Sequence, residues 1–91
     1  MRKAGNRLIK VGLCDDIIDF NKKMENHIER YGEENHIEVK TLSYGSGAQL
    51  LLNFQKGKFD IIFLDVSMPE IDGFETAEQI RCMDENVSIV F

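Results

Sequence analysis

The sequence has no tryptophan, a single proline and only two cysteines among its 91 residues. Cys14 and Cys82 lie far apart and form no C-x-x-C pair, which excludes the usual spacing of a zinc site or a dithiol redox motif. Each thiol sits in an apolar stretch, so we expect both to be buried and unpaired. Free thiols of this kind favour a reducing, cytoplasmic location.

Long apolar runs and an excess of basic residues are also absent. No run approaches the ~20 residues that a membrane helix needs, so no membrane contact is predicted. Sixteen acidic and eleven basic residues give a net charge of −5. Nucleic-acid surfaces require clustered Lys and Arg, so we expect this segment to make no direct contact with nucleic acid. Residues 1–7 are basic but lack an apolar core, which predicts a disordered leader rather than a secretory signal.

Strand and helix patterns alternate along the rest of the chain. Apolar runs predict four strands, at residues 8–14, 37–44, 59–65 and 87–91. Helical spacing of apolar residues predicts three intervening helices, whose inward positions are Phe20, Met24, Ile28 and Tyr31, then Leu50, Leu51 and Phe54, then Phe74, Ala77 and Ile80. This order implies right-handed crossovers and one α/β domain with a parallel sheet over residues 8–91.

Small and polar residues mark the ends of the predicted helices. Gly32 and Gly57 stand where the first and second helices are expected to end. Ser46 is a candidate N-cap of the second helix, and Asp72 or a near neighbour is expected to start the third.

Acidic residues follow two of the predicted strands. Asp15 and Asp16 come directly after the first strand, and Asp65 ends the third. Ligands of open parallel sheets bind beyond the carboxyl ends of the strands, so these carboxylates converge if the two strands are neighbours. Close carboxylates repel one another, and Mg²⁺, which prefers oxygen ligands, removes that repulsion. The alternative is that Asp15 and Asp16 only cap a helix and that Asp65 belongs to a turn.

Asp65 is the best candidate for the reacting residue. It emerges from the most apolar strand into a loop, which fixes its backbone and leaves its side chain accessible. A carboxylate in such a place can form an aspartyl phosphate while a metal ion neutralises the developing charge. Asp60, at the other end of the same strand, we interpret as a solvated acid.

The pair Asp15-Asp16, followed by the motif D-x-x-M-P-x-x-D-G at residues 65–73, resembles bacterial response-regulator receiver domains of the CheY-like kind. Residues 44–47 and 80–84 resemble the subfamily that precedes LytTR-type DNA-binding domains. The likeness extends from Leu8 onward. It implies a flavodoxin-like, doubly wound parallel sheet, incomplete here, with four of five strands and three of five helices.

The resemblance also implies a role for each site residue. Asp65 would be the phosphoacceptor; Asp16 would bind Mg²⁺ directly, Asp15 would bind it through water, and the Ser67 backbone carbonyl would supply a further ligand. The partner would be a sensor histidine kinase. The domain would be a signalling module rather than an enzyme, and it would switch a DNA-binding output domain that regulates transcription.

The family pattern includes residues that this sequence does not reach. A Ser or Thr after the fourth strand and a Lys after the fifth would both lie beyond Phe91, so we expect a domain truncated at its C-terminus. The apolar strand at residues 87–91 would then form an exposed sheet edge. Such edges invite pairing with another chain, which predicts self-association.

Two other functions remain open from the sequence. Phosphatases of the haloacid-dehalogenase kind also use Mg²⁺ and an Asp at a strand end, but they need a second Asp two residues later, where this chain has Ser67. A receiver fold used only for interaction, without phosphorylation, would have no need of the intact acids.

Overall fold

A computed structural model describes residues 8–91, and the predicted leader at residues 1–7 lies outside the described part. Strands and helices alternate in the predicted order. They are β1 (Leu8–Cys14), α1 (Ile18–Glu34), β2 (Glu38–Tyr44), α2 (Gly47–Asn53), β3 (Ile61–Leu64), α3 (Gly73–Met83) and β4 (Ser88–Val90). The α/β prediction is confirmed, although β3 and β4 are shorter than the apolar runs that predicted them. None of the helices in this part is long and apolar enough to cross a bilayer.

The four strands form one parallel sheet in the order β2-β1-β3-β4. β1 pairs with β2 along its whole length, and its last four residues pair with β3. At the end of these ladders Cys14 lies between Tyr44 of β2 and Leu64 of β3. The carboxyl ends of β1 and β3 therefore meet at one edge, which is the condition that the predicted site requires.

The main core lies on the sheet face covered by α2 and α3, which pack against each other. It consists of the buried residues Cys14, Leu50, Phe54, Phe59, Ile62, Leu64, Met68, Ile80 and Val87. Because side chains alternate along a strand, Val11 and Leu13 are buried on the opposite face. Helix α1, which contacts β1 and β2, starts just after these strand residues.

The inward face of α1 differs from the predicted one. Phe20 and Tyr31 are 51% and 60% exposed, whereas Asn21 is 6% exposed. Asn21, Met24 and Ile28 follow helical spacing, so the face is rotated slightly from the all-apolar choice. The spacing of apolar residues alone does not predict the inward face of α1, because this face includes the buried polar residue Asn21.

Gly32 does not end α1, contrary to the prediction, because the helix continues to Glu34. Gly32 is buried in the last turns of the helix, where a Cβ atom would lie 2.7 Å from the carbonyl oxygen of Ile37. The residue is needed for close packing against the returning chain rather than for termination.

Ser46 caps α2 as predicted and α3 begins just after Asp72, where its start was expected, but the end of α2 is not as predicted. The Ser46 hydroxyl accepts a hydrogen bond from the Gln49 N–H, and Asp72 forms a capping box with Glu75. α2 ends at Asn53, before Gly57, because Phe54 adopts an extended conformation and its ring packs in the core.

The inward face of α3 contains Ala77 and Ile80 as predicted, but Phe74 is 55% exposed. The fully buried Thr76 takes the position that was expected for an apolar side chain. Its hydroxyl donates to the carbonyl of Asp72 at 2.8 Å, so its one polar group is satisfied inside the helix.

A buried carboxylate joins the loops at the amino ends of β3 and β4. Asp84 is 4% exposed and accepts hydrogen bonds from the N–H groups of Gly57, Asn86 and Val87, at 3.0, 2.9 and 3.2 Å. The bond from Gly57, more than any other contact, lowers the pKa of Asp84 below its ordinary value. Asp84 thus fixes two loops at the sheet edge opposite the acidic site.

Asp60 is not simply a solvated acid, contrary to the prediction. Its carboxylate accepts a hydrogen bond from the Lys10 N–H at 2.8 Å, and its own N–H donates to the Lys10 carbonyl at 2.8 Å. These bonds extend the contact between β1 and the chain that leads into β3.

Candidate functional site

The structure brings together the three carboxylates that the sequence singled out. Asp15, Asp16 and Asp65 each offer an oxygen atom, and these atoms all lie within 4.8 Å of one another. Asp15 is buried, Asp65 is half-buried and Asp16 is exposed. The acidic cluster is therefore buried on the side of Asp15 and open to solvent on the side of Asp16.

Backbone hydrogen bonds hold the acidic residues at the sheet edge. The Asp65 N–H donates to the Cys14 carbonyl at 2.9 Å, and the Asp15 N–H donates to the Tyr44 carbonyl at 3.2 Å. Each acid is thus the first residue past a parallel ladder and is held by a neighbouring strand. The backbones of Asp15 and Asp65 are therefore held in place, while their carboxylates lie beyond the end of the sheet.

The interpretation of Asp15 and Asp16 as helix caps is wrong. The N-cap of α1 is Ile17, which makes no side-chain capping bond. Asp15 instead closes a local turn, in which its Oδ1 atom accepts the Ile17 N–H at 2.9 Å. The acidic pair therefore lies in the loop before α1, where its carboxylates face Asp65.

Burial makes the Asp15 carboxylate costly to ionise. Its pKa is raised first by burial and further by the nearby Asp65 and Asp16 carboxylates, while the hydrogen bond from Ile17 lowers it. A bound cation would offset this repulsion, and carboxylate oxygens are the ligands that Mg²⁺ prefers. The residues present therefore fit a small divalent cation.

Ser67 lies on the exposed loop that follows Asp65. Its N–H donates to the Asp65 Oδ1 atom at 3.3 Å, so the loop turns back toward the acidic cluster. The role expected for the Ser67 carbonyl remains a prediction, since this contact involves the N–H group.

The loop between Asp65 and α3 is anchored at two further points. Met68 is buried, and its sulfur accepts the Cys14 S–H at 3.8 Å. At the start of α3 the Gly73 N–H donates to the Val66 carbonyl at 2.9 Å. These contacts fix the loop against β1 and α3 and thereby limit the movement of Asp65.

Two contributors to the site were missed in the sequence. The Asn21 side chain donates to the carbonyls of Asp15 and Tyr44, at 3.1 Å each. The buried Cys14 contacts the Met68 of the following loop. The helical spacing of Asn21 with Met24 and Ile28 was a usable signal, because a polar residue on an apolar stripe requires a buried partner.

The two thiols are expected to differ sharply in reactivity. Burial above all, with added repulsion from Asp15, Asp65 and Asp16, raises the pKa of Cys14 to about 12. Cys82 is exposed on α3, contrary to the prediction that both thiols are buried. Because the thiolate is the nucleophile, iodoacetamide near pH 8 should label Cys82 and leave Cys14 unmodified in the folded chain.

Mass spectrometry after brief labelling checks this prediction. One adduct is expected on the folded chain, none on the folded Cys82→Ser variant, and two on the wild-type chain in denaturant. Rapid labelling of Cys14 in the folded variant would show that the Cys14–Met68 packing is wrong.

Comparisons with known proteins all point to one family. A sequence profile described as "Response regulator receiver domain" matches residues 11–91. The chain is 27% identical to the transcriptional regulatory protein NatR of Bacillus subtilis over 84 residues, 92% of this chain and 34% of NatR. It is 25% identical to the chemotaxis protein CheY of Listeria monocytogenes over 83 residues, 91% of this chain and 66% of CheY.

Solved structures give the same result. A chain in the crystal structure of the histidine kinase ThkA in complex with the response regulator TrrA superposes with a TM-score of 0.70 and 26% identity, over 89% of this chain and 65% of that one. The chain spans about a third of the length of the transcriptional regulators that it matches.

Proposed function

This chain belongs to the response regulator receiver domain family, and we propose that its Asp65 accepts a phosphoryl group from a histidine kinase at a Mg²⁺ site held by Asp15 and Asp16. The observation that carries the proposal is the convergence of the three carboxylates within 4.8 Å at the carboxyl edge of the sheet. A rigid, accessible carboxylate beside two others is the arrangement that an aspartyl phosphate requires.

In the proposed reaction a carboxylate oxygen of Asp65 bonds to phosphorus as the bond from phosphorus to the donor's imidazole nitrogen breaks. The electron pair of the broken bond remains on that nitrogen. Mg²⁺, when bound, would neutralise charge on the phosphoryl oxygens and the carboxylates. The chain itself positions the nucleophile, because Asp65 is held to Cys14 through its backbone and to Ser67 through its side chain.

We assign different parts of the metal site to the two neighbouring acids. Asp16 would bind Mg²⁺ directly, which its exposure allows. Asp15 would bind through water, since one of its oxygens already accepts the Ile17 N–H. The Ser67 carbonyl would supply a further ligand from the loop.

The partners follow from the same assignment. The similarity to a structure that contains a histidine kinase with its response regulator supports a kinase as the phosphodonor. The similarity to NatR, which is named a transcriptional regulatory protein, supports a DNA-binding output outside this segment. We place this exchange in the cytoplasm, because the exposed Cys82 thiol persists best in a reducing compartment.

Self-association through the β4 edge also remains a proposal. The observation in its favour is that Val90, the last residue of the outer strand of the described sheet, is 41% exposed and the following Phe91 is 57% exposed. Exposed apolar strand edges are templates for pairing with another chain.

Labelling with a small acyl phosphate and Mg²⁺ tests the proposed function. The full-length product of the gene should gain one phosphoryl group by intact mass, and Asp65→Asn should gain none, because an amide cannot act as the nucleophile. Asp19→Asn, an exposed acid on α1, is the matched control and should label like wild type.

The two other functions predict different outcomes. A module used only for interaction would take up no phosphate under any condition. A phosphatase would release inorganic phosphate through many turnovers without stable labelling. Undiminished labelling of Asp65→Asn would show that another residue is the acceptor.

A further inference from the structure

Asn21 is a buried amide that joins two elements of the acidic site. It projects from the first turn of α1, is 6% exposed, and uses both hydrogens of its amide nitrogen. One bonds the Asp15 carbonyl and the other the Tyr44 carbonyl, each at 3.1 Å. The Tyr44 carbonyl also accepts the Asp15 N–H, so Asn21 completes a link between α1, β2 and the end of β1.

The bond to the Asp15 carbonyl has a geometric consequence for Asp16. This carbonyl belongs to the peptide group that joins Asp15 to Asp16, and a peptide group is planar. A hydrogen bond to the oxygen of this peptide group therefore fixes the orientation of the peptide plane. The backbone direction at Asp16 is fixed with it. Asp16 is exposed, and its side chain interacts with that of the neighbouring Asp15, so the placement of the Asp16 carboxylate depends on the geometry of the peptide that joins the two residues.

Other asparagine side chains with hydrogen bonds in the described residues are used differently. Asn35 and Asn53 donate to the carbonyls of Tyr31 and Gln49, each four residues earlier, at exposed positions. These are local bonds within or just after a helix. Asn21 bridges segments that are distant in sequence and is buried, so its hydrogen bonds do not compete with water.

We propose that Asn21 is a positioning residue that orients the Asp15–Asp16 peptide so that the Asp16 carboxylate faces the cation bound with Asp65. This inference rests on the proposed function, because it concerns the same Mg²⁺ site. Groups behind metal ligands typically change metal affinity by about 10-fold to 100-fold when removed. Removal of Asn21 should change Mg²⁺ affinity by a similar factor. Asn21 would act on Asp16 through the backbone rather than by contacting its side chain.

Calorimetric Mg²⁺ titrations of the full-length protein test the inference. Asn21→Ala removes both donors, and Asn21→Leu removes them while keeping most of the side-chain volume. We expect both to raise the Mg²⁺ dissociation constant about 10-fold. Asn53→Ala, the same change at an exposed helical site, should leave it unchanged, and Asp16→Asn should weaken binding most.

The Mg²⁺ dependence of acyl phosphate labelling separates positioning from general loss of structure. A positioning role moves the midpoint to higher Mg²⁺ and preserves the labelling amplitude at saturation. A loss of folded protein lowers the amplitude and leaves the midpoint in place, which would overturn the inference. Asn21→Leu keeps the test decisive if Asn21→Ala is poorly folded.

Failure of the inference can be distinguished from failure of the proposed function. If Asp16→Asn weakens Mg²⁺ binding and both Asn21 variants bind like wild type, only the positioning role is overturned. If wild type binds no Mg²⁺, or Asp16→Asn binds like wild type, the proposed metal site itself is wrong.

Discussion

Gly73→Ala should destabilise the fold by roughly 3 kcal/mol, lower Tm by more than about 10 °C and suppress labelling of Asp65. A Cβ at Gly73 would overlap the Asp65 carbonyl oxygen and lie 2.8 Å from Val66 Cα. All of these neighbours are backbone atoms, so no side chain can rotate away. Either α3 moves off the sheet or the backbone that carries the nucleophile is displaced.

Gly45→Ala is the matched control for this change. The nearest atom to a Cβ at Gly45 is the Gln49 side-chain oxygen at 3.6 Å, an ordinary contact. Thermal melts and acyl phosphate labelling of both variants should therefore separate them clearly. A Gly73→Ala protein that melts and labels like wild type would show that α3 does not approach Asp65 as closely as described.

Asp84→Asn should lower Tm on the order of 10 °C near pH 7, because it breaks a buried hydrogen-bond network. The carboxylate accepts three backbone N–H groups, and an amide would turn a donor toward at least one of them. Glu85→Gln, at the exposed neighbouring residue, is the control and should change Tm little.

The effect of Asp84 should depend on pH with a definite sign. Its pKa is lowered in the folded chain, chiefly by the Gly57 N–H. The stabilisation is therefore complete above the unfolded-state pKa of about 3.9 and is lost as the pH falls through the lower folded-state pKa. The Tm difference between wild type and Asp84→Asn should be constant from neutral pH to about pH 5 and shrink below about pH 4. A difference that grows in acid would contradict the assignment.

Residues whose chemistry depends on the strand pattern could be placed from the sequence. Strand ends of a parallel sheet share an edge, so the positions of Asp15 and Asp65 followed once both strands were recognised. The Ser46 cap and the start of α3 near Asp72 were also predictable, because N-capping is a local interaction between residues three apart.

Features that depend on contacts between distant segments were not predictable. The role of Asp84 requires two loops to meet, and Gly32 is set by the close return of the chain near Ile37. Asn21 is a polar residue on the inward face of α1, and a helical pattern of apolar residues alone does not reveal such a position. Cys82 occurs in an apolar stretch of sequence, yet lies on the outer side of α3, because local hydrophobicity does not determine which side of a helix faces the sheet.

The strand order β2-β1-β3-β4 has a consequence for the folding pathway. During synthesis β1 emerges first and can pair early with β2, whereas its other partner, β3, follows only after α2. The β1–β3 pairing is therefore a non-local step with a larger loop-closure cost, and steps of this kind slow folding. Asp15 and Asp65 become neighbours only in this step. A cation that requires both carboxylates would bind only the chain in which β1 and β3 have paired, so raising Mg²⁺ should raise Tm.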